Sequence, residues 1–153
     1  MAQAPLSARW LATWFGCGAS RVAPGTVGSL GTLPLWWLLT QTPAPIYWLV
    51  TGALCVLGTW AAERVALALG DEDPSSVVID EVVGTLLALG IAGPGLAAHI
   101  AAFVAFRFFD IKKPGPIYRV QYLRPAGLGI MADDVLAGIA AGVLVRLGVV
   151  FFG

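Results

Sequence analysis

The chain has 153 residues, of which 58% are hydrophobic and only 12% charged, against about 25% charged in ordinary soluble domains. Nine basic and nine acidic residues leave no net charge, so no basic field points to a nucleic-acid partner. At a mean hydropathy of +0.83, a single domain over residues 1–153 has too little interior to hide its apolar surface, and lipid is its natural solvent.

In chain order, Leu6, Trp10 and Trp14 recur at helical spacing around one early base, Arg9, and predict a short helix lying at the bilayer surface. The apolar stretch from Trp10 to Phe15 is too short for a cleavable signal and lacks a convincing cleavage site. A glycine-rich stretch from Gly16 to Gly31 reads as turns, and apolar residues then run from Leu30 to Leu39 until Pro43 and Pro45. The next run, Ile46 to Leu69, exceeds the ~20 residues that cross about 30 Å of hydrocarbon. Glu63 and Arg64 stand near its end.

A polar loop covers Gly70 to Ser76, and a third apolar run, Val82 to Phe106, is interrupted by Gly93-Pro94-Gly95. The basic stretch Arg107 to Arg124 carries Pro114, Pro116 and Pro125, which predict no regular helix there. The last run, Ile130 to Phe152, reads as a final span. The expected fold is therefore all-α: a polytopic helical membrane protein with short or re-entrant hairpins, its frequent Gly and Ala suited to close helix packing in lipid. Cys17 and Cys55 have no metal-ligand spacing, and Cys55 reads as a small packed residue.

Topology turns on residues 82–106. One kinked span would put the acidic and basic loops on opposite faces of the membrane. A hairpin at Gly93–Gly95 would keep them together, with two arms of roughly 12 residues, short for full crossings and so re-entrant. Basic residues flanking spans mark the cytoplasmic side, which favours the hairpin. It brings together the segments Gly16–Ser29, Asp71–Glu81, Arg107–Pro116 and Gly127–Asp134.

Those segments carry Asp80-Glu81, Asp110 and Asp133-Asp134. A single acid at a helix start has an ordinary role as a cap or dipole partner. Two adjacent acid pairs beside apolar sequence repel one another and cost desolvation, which marks them as functional candidates. Oxygen ligands without His or Cys suit Mg²⁺ and fit zinc poorly. The lone His99 sits mid-run among apolar neighbours and reads as structural. Arg107 and Lys113 flank Asp110; bases beside acids are most often salt bridges, but here they suit a site holding metal and phosphate together. Gly25, Thr26, Gly28 and Ser29 offer backbone and hydroxyl donors to an anion, without the lysine of a P-loop. No nucleophile elbow and no Cys–His pairing is present, which leaves metal-assisted attack by water or an Asp nucleophile.

Four stretches, taken together, resemble the phosphatidylglycerophosphatase A family of bacterial membrane enzymes. They are A-P-G-T-V-G-S-L at 23–30, S-S-V-V-I-D-E-V-V-G at 75–84, F-R-F-F-D-I-K-K-P-G-P-I at 106–117 and G-L-G-I-M-A-D-D-V-L-A-G at 127–138. Family members often carry an aromatic between the two prolines where this chain has Gly115. The resemblance implies a Mg²⁺-dependent phosphomonoesterase that removes the terminal phosphate of phosphatidylglycerol phosphate, on the pathway to phosphatidylglycerol and cardiolipin. It implies a multi-pass protein of the bacterial cytoplasmic membrane with its site facing the cytoplasm.

On that basis Asp80, Glu81, Asp110, Asp133 and Asp134 are expected to hold metal, and Gly25, Thr26, Ser29, Arg107 and Lys113 the phosphate. Asp80, Asp134 and Lys113 are the expected catalytic residues, with Asp80 or Asp134 as base or nucleophile. The alternatives are a phosphatase for another lipid phosphate, or a non-enzymatic transporter or channel subunit. The last would distribute acids through the depth of the spans and show an internal repeat, and neither is seen in the sequence.

Overall fold

The computed structural model describes residues 4–152, and their regular structure is entirely helical. The helices are α1 (Leu6–Ala12), α2 (Pro24–Gly31), α3 (Leu33–Thr40), α4 (Ala44–Leu69), α5 (Ile79–Ala92), α6 (Leu96–Lys112), α7 (Pro116–Val120) and α8 (Ala126–Phe152), with a 3-10 turn at Cys17–Ala19.

Two helices, α4 with 26 residues and α8 with 27, are long and apolar enough to cross a bilayer. At 1.5 Å per residue each is about 40 Å long. Their outward faces expose Leu49, Val56 and Leu57 on α4, and Leu144, Leu147 and Val150 on α8. Exposed apolar surface on this scale is unusual in water and suits a membrane protein.

The interior is built around α5, which is buried along most of its length and packs against α8, α6, α4 and α2. Residues 82–106 do turn back. Gly93 and Gly95 take backbone angles of φ +94° and +106°, open to glycine and strained for any other residue, and Pro94 between them stops the helix. The returning α6 lays the Phe106 ring against Gly84, where an added Cβ would stand 2.4 Å from the ring. The loops at 70–76 and 112–116 consequently share one end of the molecule.

Three expectations need correction. The stretch around Pro24 is a helix, because proline is pre-shaped for the first helical position. Likewise Pro116 opens α7 inside the basic stretch expected to be irregular. Trp14 is not on the surface face of α1. The helix ends at Ala12, and Trp14 turns inward in left-handed backbone (φ +46°), its indole N–H donating to the Gly31 carbonyl at 3.0 Å. Leu6 and Trp10 do stay exposed on α1, as a surface helix requires.

Candidate active site

Helices α5 and α8 start at the same end and cross where two glycines meet. A Cβ on Gly84 would lie 2.8 Å from the Asp134 carbonyl oxygen, and one on Gly138 would lie 2.4 Å from the Gly84 carbonyl oxygen. Backbones approach this closely only where side chains are absent. Asp80 and Asp134 each stand four residues, one helical turn, before those glycines, on the same helix faces. The crossing therefore sets the two carboxylates side by side, and Glu81 joins them from the next position on α5. One carboxylate oxygen from each of Asp80, Glu81 and Asp134 lies within 4.8 Å of the others.

This trio is sequestered: Asp80 is 9% exposed and Asp134 2%. Asp80 Oδ1, Glu81 Oε2 and Asp134 Oδ2 are buried without a hydrogen-bond partner among the described residues. Three carboxylates this close cannot all stay ionised without a counter-charge. Oxygen-only donors with unsatisfied lone pairs are what a hard divalent cation such as Mg²⁺ requires. The residues present fit that ion.

Asp110 and Asp133 stand outside the trio, each paired with a base. Asp110 accepts from Arg107 Nη1, three residues earlier on α6, and Asp133 Oδ2 accepts from Lys113 Nζ across the gap between α6 and α8. Lys113 ends α6 in left-handed backbone (φ +45°), an unfavourable conformation for a side chain with a Cβ. Burial by itself would lower the Lys113 pKa, but the hydrogen bond and charge of Asp133 outweigh it and hold the ammonium above its ordinary value. Its Nζ also reaches Gln121 Oε1 at 3.4 Å.

Helix α2 closes the site on the remaining side. Gly25 abuts Glu81 so tightly that an added Cβ would stand 2.1 Å from Glu81 Oε1 and 3.1 Å from Arg107 Nη2. The hydroxyls of Thr26 and Ser29 each accept from Arg107 at 3.4 Å, and Ser29 Oγ donates back to the Gly25 carbonyl at 2.9 Å. These residues thus gather around the Arg107 guanidinium. A polar cavity of about 260 Å³ opens beside the trio, lined by Gly25, Asp73, Asp80, Glu81, Asp110 and Lys113 among others.

The residues singled out in the sequence meet at this one end of the molecule, but in separate roles: a trio, two ion pairs and a helix that backs them. His99 lies near the opposite end of α6 with its ring 4.8 Å from Trp36. Three participants were not foreseen. Asp73 lines the cavity from the 70–76 loop, Gln121 reaches Lys113, and Glu63 Oε2 accepts the Gly127 N–H at 2.7 Å at the start of α8. The four-residue spacing of Asp80 to Gly84 and of Asp134 to Gly138 was the available signal for the crossing.

The family model of Phosphatidylglycerophosphatase A matches residues 10–149, which include every residue of this site. The chain belongs to that family. It is 40% identical over 142 residues to the phosphatidylglycerophosphatase A of Escherichia coli K12, covering 90% of this chain and 81% of the relative. Its identity to the Haemophilus influenzae protein of the same name is 41% over 138 residues, covering 88% and 84%. A Bacteroides thetaiotaomicron protein, 41% identical over 148 residues with 90% of each chain covered, bears a provisional name as a phosphatidylinositol-3-phosphatase. No solved structure gives a significant match.

Proposed function

We propose that this member of the phosphatidylglycerophosphatase A family hydrolyses the terminal phosphate of phosphatidylglycerol phosphate to phosphatidylglycerol and inorganic phosphate, using Mg²⁺ held by Asp80, Glu81 and Asp134. The observation that carries the proposal is the trio itself, with buried, unpartnered oxygens from two crossing helices beside a charged lysine and arginine. The names of the relatives from Escherichia coli and Haemophilus influenzae support the substrate.

When bound, Mg²⁺ would neutralise the trio, polarise the phosphate and lower the pKa of a water. Lys113, fixed by Asp133, faces the cavity and offers positive charge to the phosphoryl oxygens, and Arg107 backs it from α6. Attack by water forms one P–O bond and breaks the ester P–O bond. Asp80 or Asp134 takes the proton of the attacking water and passes it to the leaving alkoxide of the lipid as the ester bond breaks. The cavity at a helix-bundle end keeps the headgroup among these charges while the acyl chains extend toward the bilayer. We place the protein in the bacterial cytoplasmic membrane as a multi-pass chain. The basic residues Lys112, Lys113, Arg119 and Arg124 at the site's end support a cytoplasmic side for it.

Purified protein should release phosphate from phosphatidylglycerol phosphate with Mg²⁺ and stop when a chelator is added. Asp80→Asn and Asp134→Asn should each lower kcat by orders of magnitude in protein that still folds. Full activity in both variants would overturn the proposal. Parallel assays on phosphatidylinositol 3-phosphate and phosphatidic acid decide between this substrate and another lipid phosphate.

A further inference from the structure

Helix α6 has a polar end and an apolar end on one face. Asp110, Arg107, Phe103, Ile100 and Leu96 recur at spacings of three and four residues, a single helical stripe. The α2–α3 pair carries a matching stripe in the opposite direction, with Thr26, Leu30, Leu33 and Trp36. These two stripes face each other, yet the helices that bear them are packed elsewhere. Helix α6 is held by α8 and α5, α2 by α5, and α3 by α4.

Two polar or ring contacts bridge the gap: Arg107 donates to Thr26 and Ser29 at 3.4 Å, and the Trp36 ring meets His99 with centroids 4.8 Å apart. Along the seam lies an apolar cavity of about 190 Å³, with Leu30, Leu33, Leu96, Ile100 and Phe103 in its wall beside the Trp36–His99 pair. It is open to the outside, since Leu30 is 50% and Ile100 57% exposed. From Arg107 to Leu96 the seam runs about 16 Å along α6.

We infer that this seam receives an acyl chain of the lipid phosphate, entering sideways from the bilayer, with Arg107 at the level of the headgroup. The inference rests on the lipid-phosphatase reading above and names where the lipid part of the substrate sits. Its occupant is identified by continuity: the seam begins at the arginine that backs the catalytic cavity, turns wholly apolar within one turn of it, and opens where lipid would be. A straight chain fits a slot lined by aliphatic and aromatic side chains, and only a ligand with a phosphate on an apolar tail matches both ends.

The test compares kcat/KM for a long-chain and a dihexanoyl version of the same lipid phosphate, in mixed micelles with Mg²⁺. Leu30→Trp and Leu96→Trp fill the seam from its two walls at exposed positions that do not line the outer groove. The expected result is a fall in the long-chain to short-chain ratio on the order of tenfold, the effect of expelling about two buried methylenes. Val104→Trp, on the outer groove between α6 and α8, should leave the ratio as in wild type. A ratio unchanged in both seam variants, or lowered by Val104→Trp instead, overturns the inference.

If a variant fails to fold, wild-type protein can be crosslinked to a lipid phosphate carrying a photoreactive group along one acyl chain. Adducts on residues 30–36, Leu96 or Phe103 support the seam, and adducts confined to Ala97, Ala101, Val104, Phe108 and Leu144 overturn it. Phosphate release from neither lipid by the wild-type protein would instead refute the parent function.

Discussion

Glu63, on α4, accepts the backbone N–H of Gly127 at 2.7 Å and so caps the helix that delivers Asp134. The first N–H groups of a helix have no intrahelical partner, and a carboxylate there also meets the positive end of the helix dipole. Gly127 is needed for the approach, because an added Cβ would stand 2.3 Å from the Thr59 carbonyl oxygen. Glu63→Ala should lower stability by about 1–3 kcal/mol, the usual cost of orphaning a buried donor. Glu63→Gln, which keeps an acceptor oxygen, should recover most of it. Thermal unfolding in detergent measures both.

The Gly84–Gly138 crossing should tolerate no added bulk. Gly138→Ala puts a methyl 2.4 Å from the Gly84 carbonyl oxygen, and relief by backbone shift costs about 1–3 kcal/mol. Gly138→Leu should also separate Asp80 from Asp134 and weaken Mg²⁺ binding. Titration of Mg²⁺ against the melting temperature reads the separation directly, and unchanged metal affinity would contradict it.

The trio predicts an inverted stability effect. With chelator present, Asp134→Asn removes like-charge repulsion from a buried cluster, so the variant should melt at or above the wild-type temperature. With Mg²⁺ the order should reverse, because only wild type gains binding free energy in the folded state. Melting curves of both proteins in both conditions test this.

Lys113 and Asp133 should act as a unit. Lys113→Ala should reduce kcat by about 10²–10³, as loss of a transition-state donor does elsewhere. Asp133→Asn keeps a hydrogen-bond acceptor for the ammonium and should cost less. In the double variant Lys113→Ala/Asp133→Asn the losses should be far from additive. Steady-state kinetics on the four proteins complete the cycle.

Much of this architecture was legible in the sequence, and unevenly. The long helices over Ile46–Leu69 and Ile130–Phe152 were plain from their long apolar runs, and the Gly93-Pro94-Gly95 turn because few other residues can make it. Helix α2 was hidden. Pro24 and the glycines after it have the composition of a loop, and what makes them helical is tertiary: Gly25 abutting Glu81 and Gly28 abutting Val78.

Among the acids, the sequence put both Asp133 and Asp134 on the metal and could not show that only one of them meets Asp80. Adjacent residues on a helix point about 100° apart, so one meets Asp80 while the other meets Lys113. Glu63 gave no sign of its role, since nothing local links it to a residue 64 positions later.

Helix α5 reaches only about 20 Å from its start before the hairpin turns, while α4 and α8 are nearly twice as long. The carboxylates lie at its start, so in the proposed multi-pass arrangement the chemistry belongs to one leaflet. A lipid phosphate in the opposite leaflet has its headgroup a full membrane thickness away and must first be flipped. In vesicles carrying substrate in both leaflets, and protein in one orientation, about half the phosphate should be released at the enzyme's own rate and the rest only as fast as the lipid crosses.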